Sequence, residues 1–123
     1  MNTDKNISKQ IEIGEVIISS DALKTIVGIA THKVNGVVPL QKGFVSSIKD
    51  RIGKKNITRG ISIKVENGKA IVDVNISVEY GKNLMEIASK VQDEVGKAIS
   101  TMTNLEVENV NITVSEVNIN NEG

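Results

Sequence analysis

Residues 61–117, ISIKVENGKAIVDVNISVEYGKNLMEIASKVQDEVGKAISTMTNLEVENVNITVSEV, decide the fold. Ile61, Ile63 and Val65 alternate with polar neighbours, the period of a half-buried strand. Asn67-Gly68 follows, a pair that favours the type I′ turn of a tight hairpin because both positions tolerate positive φ. The return strand places Val72, Val74, Ile76, Val78 and Tyr80 on one face and Asp73, Asn75, Ser77 and Glu79 on the other, so one side of the sheet faces a core and the other faces water. Gly81 breaks that strand. Asn83, with Glu86 three residues on, opens a helix as a capping box. Leu84, Ile87, Ala88, Val91, Val95, Ala98, Ile99 and Met102 make its apolar stripe. Glu86–Lys90 and Asp93–Lys97 are i, i+4 pairs on its wet side. Val110, Ile112 and Val114 alternate in a last strand, and the parity change at Val117 and Ile119 predicts a bulge near Ser115-Glu116. A helix of about 22 residues rises about 33 Å, which returns the chain along a strand of about 11 residues at about 3.3 Å each. The last strand is therefore expected to run parallel to the return strand through a right-handed crossover.

Working outward, Ile11–Ile18 reads as an opening strand interrupted by Gly14. Ser19 or Ser20 caps a first helix, with Asp21 in its first turn. Leu23, Ile26, Val27, Ala30 and Val34 form its buried stripe, and Asn35-Gly36 supplies a left-handed stop. The expected fold is α+β in the order β-α-loop-β-β-α-β, one small sheet with both helices on one face. The domain is expected over 11–117, with the polar stretches 1–10 and 118–123 as disordered tails. Gly96 inside the second helix costs about 1 kcal/mol against Ala. Close packing on the sheet is the favoured reason for it, and a partner contact the other.

The 123-residue chain balances fifteen basic against fifteen acidic side chains, so no global field steers it to nucleic acid or membrane. Of its 48 hydrophobic residues, 34 are Ile or Val, and Phe44 and Tyr80 are the only aromatics. That composition favours strands and a stiff core and leaves little surface for stacking on bases. With no Cys, disulfides, thiolate catalysis and cysteine-ligated metal sites are excluded. Met1–Gln10 has no apolar core of a signal peptide, and no apolar run is long enough to span a bilayer.

One segment does not fit the plain reading. Val37–Gly60 carries Lys42, Lys49, Arg51, Lys54, Lys55 and Arg59 against the single acid Asp50, a local charge of +5 that leaves the rest of the chain at −5. A connection this long inside a small domain is either functional or disordered. Phe44, Ile48 and Ile52 at i, i+4, i+8 would suit a short amphipathic helix bounded by Gly43 and Gly53. The segment reads equally as a solvated loop tucked on the sheet and as an electropositive docking surface for an acidic protein, RNA or an anionic membrane. Phe44 reads equally as an exposed anchor and as a core plug.

Catalytic chemistry is hard to find. His32, the only histidine, lies opposite the apolar stripe of its helix and is expected to be exposed; alone it makes neither a triad nor a metal site. Gly53-Lys54 lacks the Ser or Thr and the spacing of a P-loop. No two glycines sit three apart, so the clamp of KH domains is missing, and there is no aromatic pair of an RRM. Asp73 and Glu79 share a face but stand at opposite ends of a strand, too far apart for paired-carboxylate hydrolysis, which needs about 5–9.5 Å. With Asn75 and Ser77 they read as a wet sheet face, or as one covered by a partner or a second copy.

The stretches EIGEVIISSDALKTIVGIATHKVNGVV (12–38), RGISIKVENGKAIVDVNISVEYG (59–81) and VQDEVGKAISTMTNLEVENVNITVSEV (91–117), in this order and spacing, resemble the alkaline-shock protein family, envelope-stress proteins of Gram-positive bacteria. No single piece is specific; their sequence along the chain is. KGFVSSIKDRIGKKN (42–56) looks more like the subgroup often encoded beside acetyl-CoA carboxylase genes. Pro39-Leu40 departs from the small residue and Met more common there. The resemblance implies a non-enzymatic cytoplasmic protein without cofactor, often membrane-associated through a separate anchor, with some members self-associating. It has no catalytic residue to carry over. The expectation is an adaptor or scaffold with a protein partner, membrane-anchored or linked to fatty-acid synthesis, and no membrane insertion of its own. Binding would use Lys42, Phe44, Lys49, Arg51, Lys54, Lys55 and Arg59. A nucleic-acid-binding regulator using the same segment is the alternative.

Overall fold

The computed structural model describes residues 13–40 and 57–119. Two helices and four strands follow in the order α1 (Ser20–His32), β1 (Val37–Val38), β2 (Ile61–Glu66), β3 (Lys69–Glu79), α2 (Leu84–Met102) and β4 (Glu106–Asn118). The α+β class, the single sheet and the packing of both helices on one face stand as expected.

β3 organises the sheet. β2 pairs with it antiparallel from Ile61↔Val74 to Glu66↔Lys69, and Asn67 and Gly68 turn the hairpin with φ of 51° and 75°, the double positive φ of a type I′ turn. Where β2 stops, β1 takes over the same edge of β3, with Val37↔Val78 and Val38↔Ser77. β4 runs parallel along the other edge from Lys69↔Glu106 to Glu79↔Asn118. Its register jumps between Val107 and Asn109 and between Val114 and Glu116. The second jump is the expected bulge, at Ser115. The first, at Glu108, is announced only by the three-residue spacing of Val107 and Val110.

α1 is capped by the Ser19 hydroxyl, which accepts from the Ala22 N–H at 3.0 Å. α2 is capped by Asn83 Oδ1, which accepts from the Glu86 N–H at 3.0 Å. Val27 of α1, Val91, Val95 and Ile99 of α2, and Val72, Val74, Ile76 and Val78 of β3 form one fully buried layer between helices and sheet. Each such side chain contributes about 1.5–3 kcal/mol of burial, and among the described residues no aromatic ring takes part.

Several expectations are corrected. Ile13–Ser19 is not a strand: it enters no ladder, and Ile13, Val16 and Ile17 are 90%, 93% and 79% exposed. β-propensity reports fit to a pleated, half-buried surface, and this segment lies on none. α2 has 19 residues, and Met102 at its end is exposed. Tyr80 leaves the core face because the chain has already turned away beyond β3. Ser77, expected on the wet face, is fully buried, and its hydroxyl has no hydrogen-bond partner. His32 is half-buried rather than exposed, with Nδ1 at 3.0 Å from the Gly28 carbonyl. A Cβ built on Gly96 meets nothing within 4 Å, so close packing on the sheet is not its reason.

The glycine that close packing does require is Gly28, in the middle of α1. A Cβ there would collide with the backbone of Ile57, including its carbonyl carbon at 2.9 Å. Ile57 and Thr58 are helical, and Ile57 lies directly against α1 at this point.

Candidate functional site

Of the seven candidate docking residues, Lys42, Phe44, Lys49, Arg51, Lys54 and Lys55 lie outside the described residues, as does the helix expected around Phe44, Ile48 and Ile52. Arg59 is described. It is half-buried and its Nη1 donates to the Leu40 carbonyl at 3.4 Å. That bond joins the two ends of the basic segment. On one side, Val37 and Val38 are held by β3. On the other, the Gly60 carbonyl accepts both the Asn75 N–H at 3.0 Å and Asn75 Nδ2 at 3.3 Å. Both ends are therefore fixed to one edge of β3, in the interval between β2 and β1. The anchors are Asn75, Arg59 and Gly28, the last through its contact with Ile57. Sequence reading placed Asn75 on a plain wet face and passed over Gly28; a glycine at the centre of an otherwise regular helix was the available signal.

The wet sheet face is a ladder of short polar side chains. Asn111 Nδ2 donates to Asp73 Oδ1 at 2.9 Å, and the Ser115 hydroxyl donates to Asn75 Oδ1 at 3.2 Å. Glu79 pairs with Lys82 at 3.7 Å. The first two bonds tie β3 to β4, and all three use polar groups that a catalytic face would need free. Among the described residues, no three His, Asp or Glu side chains are grouped to hold a metal ion.

The main cavity is an open groove of about 910 Å³ on the helix side, lined by Val16, Ile17, Leu23, Val65, Met102 and Leu105 with Thr101 and Thr103 at its margin. Thr103 is fully engaged: its hydroxyl donates to the Ile99 carbonyl at 2.7 Å and accepts from the Leu105 N–H at 3.0 Å, closing the end of α2. This explains the Met-Thr-x-Leu turn without any ligand. Among the described residues, no helix is long and apolar enough to cross a membrane.

The sequence profile of a family described by a cell envelope-related function matches residues 8–119. A Bacillus subtilis protein, YqhY, is 28% identical over 102 residues, covering 83% of this chain and 76% of its own. A second B. subtilis protein, YloU, is 26% identical over 118 residues, covering 94% of this chain and 98% of its own. A Streptococcus pyogenes protein named stress response regulator gls24 homolog is 27% identical over 117 residues, which cover 94% of this chain and 65% of the streptococcal one. With a profile match that spans the strands, both helices and the basic segment between them, the chain belongs to the alkaline shock protein 23 family, of cell envelope-related function.

Proposed function

We propose that the protein is a non-enzymatic adaptor of the envelope-stress type, working in the cytoplasm and joining the membrane through a protein partner. The partner docks on the basic segment 37–60, with Lys42, Lys49, Arg51, Lys54, Lys55 and Arg59 as the charged contacts and Phe44 as an apolar anchor. The observation that carries this reading is the double anchoring of the segment. A +5 stretch is tied at both ends to one edge of β3 through Gly60–Asn75 and Val37–Val78. Tethering both ends lowers the ordering cost of a docking segment. The family's envelope-related description and a relative named as a stress response regulator support the setting. The likeness of 42–56 to the subgroup encoded beside acetyl-CoA carboxylase genes supports a link to fatty-acid synthesis.

The test reverses the charge at Lys49→Glu, Arg51→Glu, Lys54→Glu and Lys55→Glu together. Tagged wild type and variant are recovered from the native cells after nuclease treatment, with thermal unfolding as the control for folding. A defined protein lost from the folded variant supports the adaptor. Equal recovery by both sinks it. Nucleic acid recovered before nuclease, with no protein after it, moves the role to a nucleic-acid-binding regulator, whose binding should weaken steeply with salt.

A further inference from the structure

β4 is a thirteen-residue strand with one paired edge. Its inner edge runs along β3 for its whole length, and among the described residues no strand pairs with its outer edge. An unpaired edge of this length presents a row of backbone N–H and C=O groups that can accept a further strand. The centre of β4, Asn109 to Ser115, contains no charge, proline or glycine. Its part from Asn109 to Val114 lies between the two bulges. Val110, Ile112 and Val114 in it are half-buried against the core, so an added strand would cover what remains open of that apolar stripe. One side chain already occupies the edge. Gln92 of α2 donates Nε2 to the Val110 carbonyl at 2.9 Å, standing where the N–H of a further strand would stand.

Charge decides which strand fits. From Ala98 to Gly123 the sequence holds four glutamates and no lysine, arginine or histidine. Glu106 and Glu108 flank the neutral centre on one side, both exposed, and Glu116 follows on the other. A second copy pairing antiparallel with its apolar stripe matched must centre on Ile112, which sets Val110 against Val114. That register sets Glu106 and Glu108 of each copy against a flank that holds no cation. Like charges directly opposite destabilise a strand pair, and opposite charges stabilise it. The edge therefore opposes its own copy and favours a strand with cationic flanks.

We propose that the outer edge of β4 is a docking edge for an extended strand of a partner protein, β-branched at its centre over Val110–Val114 and bearing lysine or arginine at its flanks, which displaces Gln92 from the Val110 carbonyl. This is strand addition, in which backbone bonds supply affinity and alternate side chains supply selection. It does not depend on the docking role proposed for the basic segment.

The test titrates the full chain, with its amides labelled for NMR, with the peptide Lys-Lys-Val-Thr-Val-Thr-Val-Lys-Lys. Two control peptides are used, one N-methylated at alternate amides and one with glutamate for lysine. Saturable binding is expected, with the Ile112 and Val114 amides shifted and their hydrogen exchange slowed roughly tenfold or more. Both controls should lose binding. Glu106→Gln with Glu108→Gln should weaken it roughly three- to tenfold and flatten its salt dependence. Gln92→Ala removes the competing hydrogen bond and should tighten binding roughly two- to tenfold. A merely structural Gln92 would not produce that gain. No binding at millimolar peptide, equal binding of the N-methylated peptide, or sedimentation as a dimer through this edge without peptide would each overturn the proposal.

Discussion

Gly96 and Gly28 both sit inside helices, and the same substitution should move stability in opposite directions. At Gly96 a Cβ meets nothing within 4 Å, so Gly96→Ala adds helix propensity with no steric charge against it. The gain is about 0.8–1.0 kcal/mol, which for a domain of this size raises Tm by roughly 3–6 °C. At Gly28 the added methyl meets the Ile57 backbone, with the carbonyl carbon at 2.9 Å. Overpacking of this kind costs about 1–3 kcal/mol and outweighs the same propensity gain of about 1 kcal/mol. Gly28→Ala is therefore expected to lower Tm, and to speed amide exchange at Ile57–Gly60 because the end of the basic segment must shift. Urea and thermal unfolding followed by far-ultraviolet circular dichroism measure both variants against wild type. If Gly96→Ala destabilises, the space beside that position is not open. If Gly28→Ala stabilises, the contact between α1 and Ile57 is not what holds the segment.

Two buried hydroxyls without partners, Thr31 Oγ1 and Ser77 Oγ, should be better removed. Thr31→Val and Ser77→Ala are each expected to stabilise by about 1 kcal/mol, the low end of the penalty for an unsatisfied buried polar group; a loss of similar size in urea titrations would reveal an unseen partner. Thr103→Val keeps the shape but deletes both side-chain bonds that close α2, and is expected to cost roughly 1–3 kcal/mol at about 0.5–1.5 kcal/mol per bond, read as a lower urea midpoint at unchanged m-value. Glu86→Gln removes an exposed ion pair with Lys90 at 3.7 Å and should cost no more than about 0.5 kcal/mol, a difference that vanishes in 1 M salt.

The sequence was most legible where local chemistry and tertiary pairing agree. Asn67-Gly68, the Asn83 cap, the alternation of Val72 to Val78 and the parity change at Ser115 each have a local physical cause, and each appears in the structure. Reading failed where the outcome belongs to a neighbour. Ile13, Val16 and Ile17 have the side chains of a strand, but the segment pairs with no strand of the sheet. Val37 and Val38 form a strand only because β2 ends before β3 does, leaving the Ser77–Val78 stretch open to them. Gly28 and Gly96 look alike in sequence and differ only in what approaches them from outside their helices. Of the candidate site, sequence marked the basic segment by its charge. The anchors Asn75 and Gly28 were hidden because their role lies in contacts 15 and 29 positions away along the chain.

The core formed by the described residues holds no aromatic ring, and this has a spectroscopic consequence. The chain has no Trp, and Tyr80, its one tyrosine, is already 74% exposed in the folded state. Intrinsic fluorescence and near-ultraviolet dichroism will therefore stay nearly silent as the molecule unfolds, and their flatness must not be mistaken for a molten state. The buried Val and Ile side chains carry the missing signal. Their methyl resonances sit between both helices and β3, so methyl NMR reads this core directly, layer by layer, where optical probes find nothing to report.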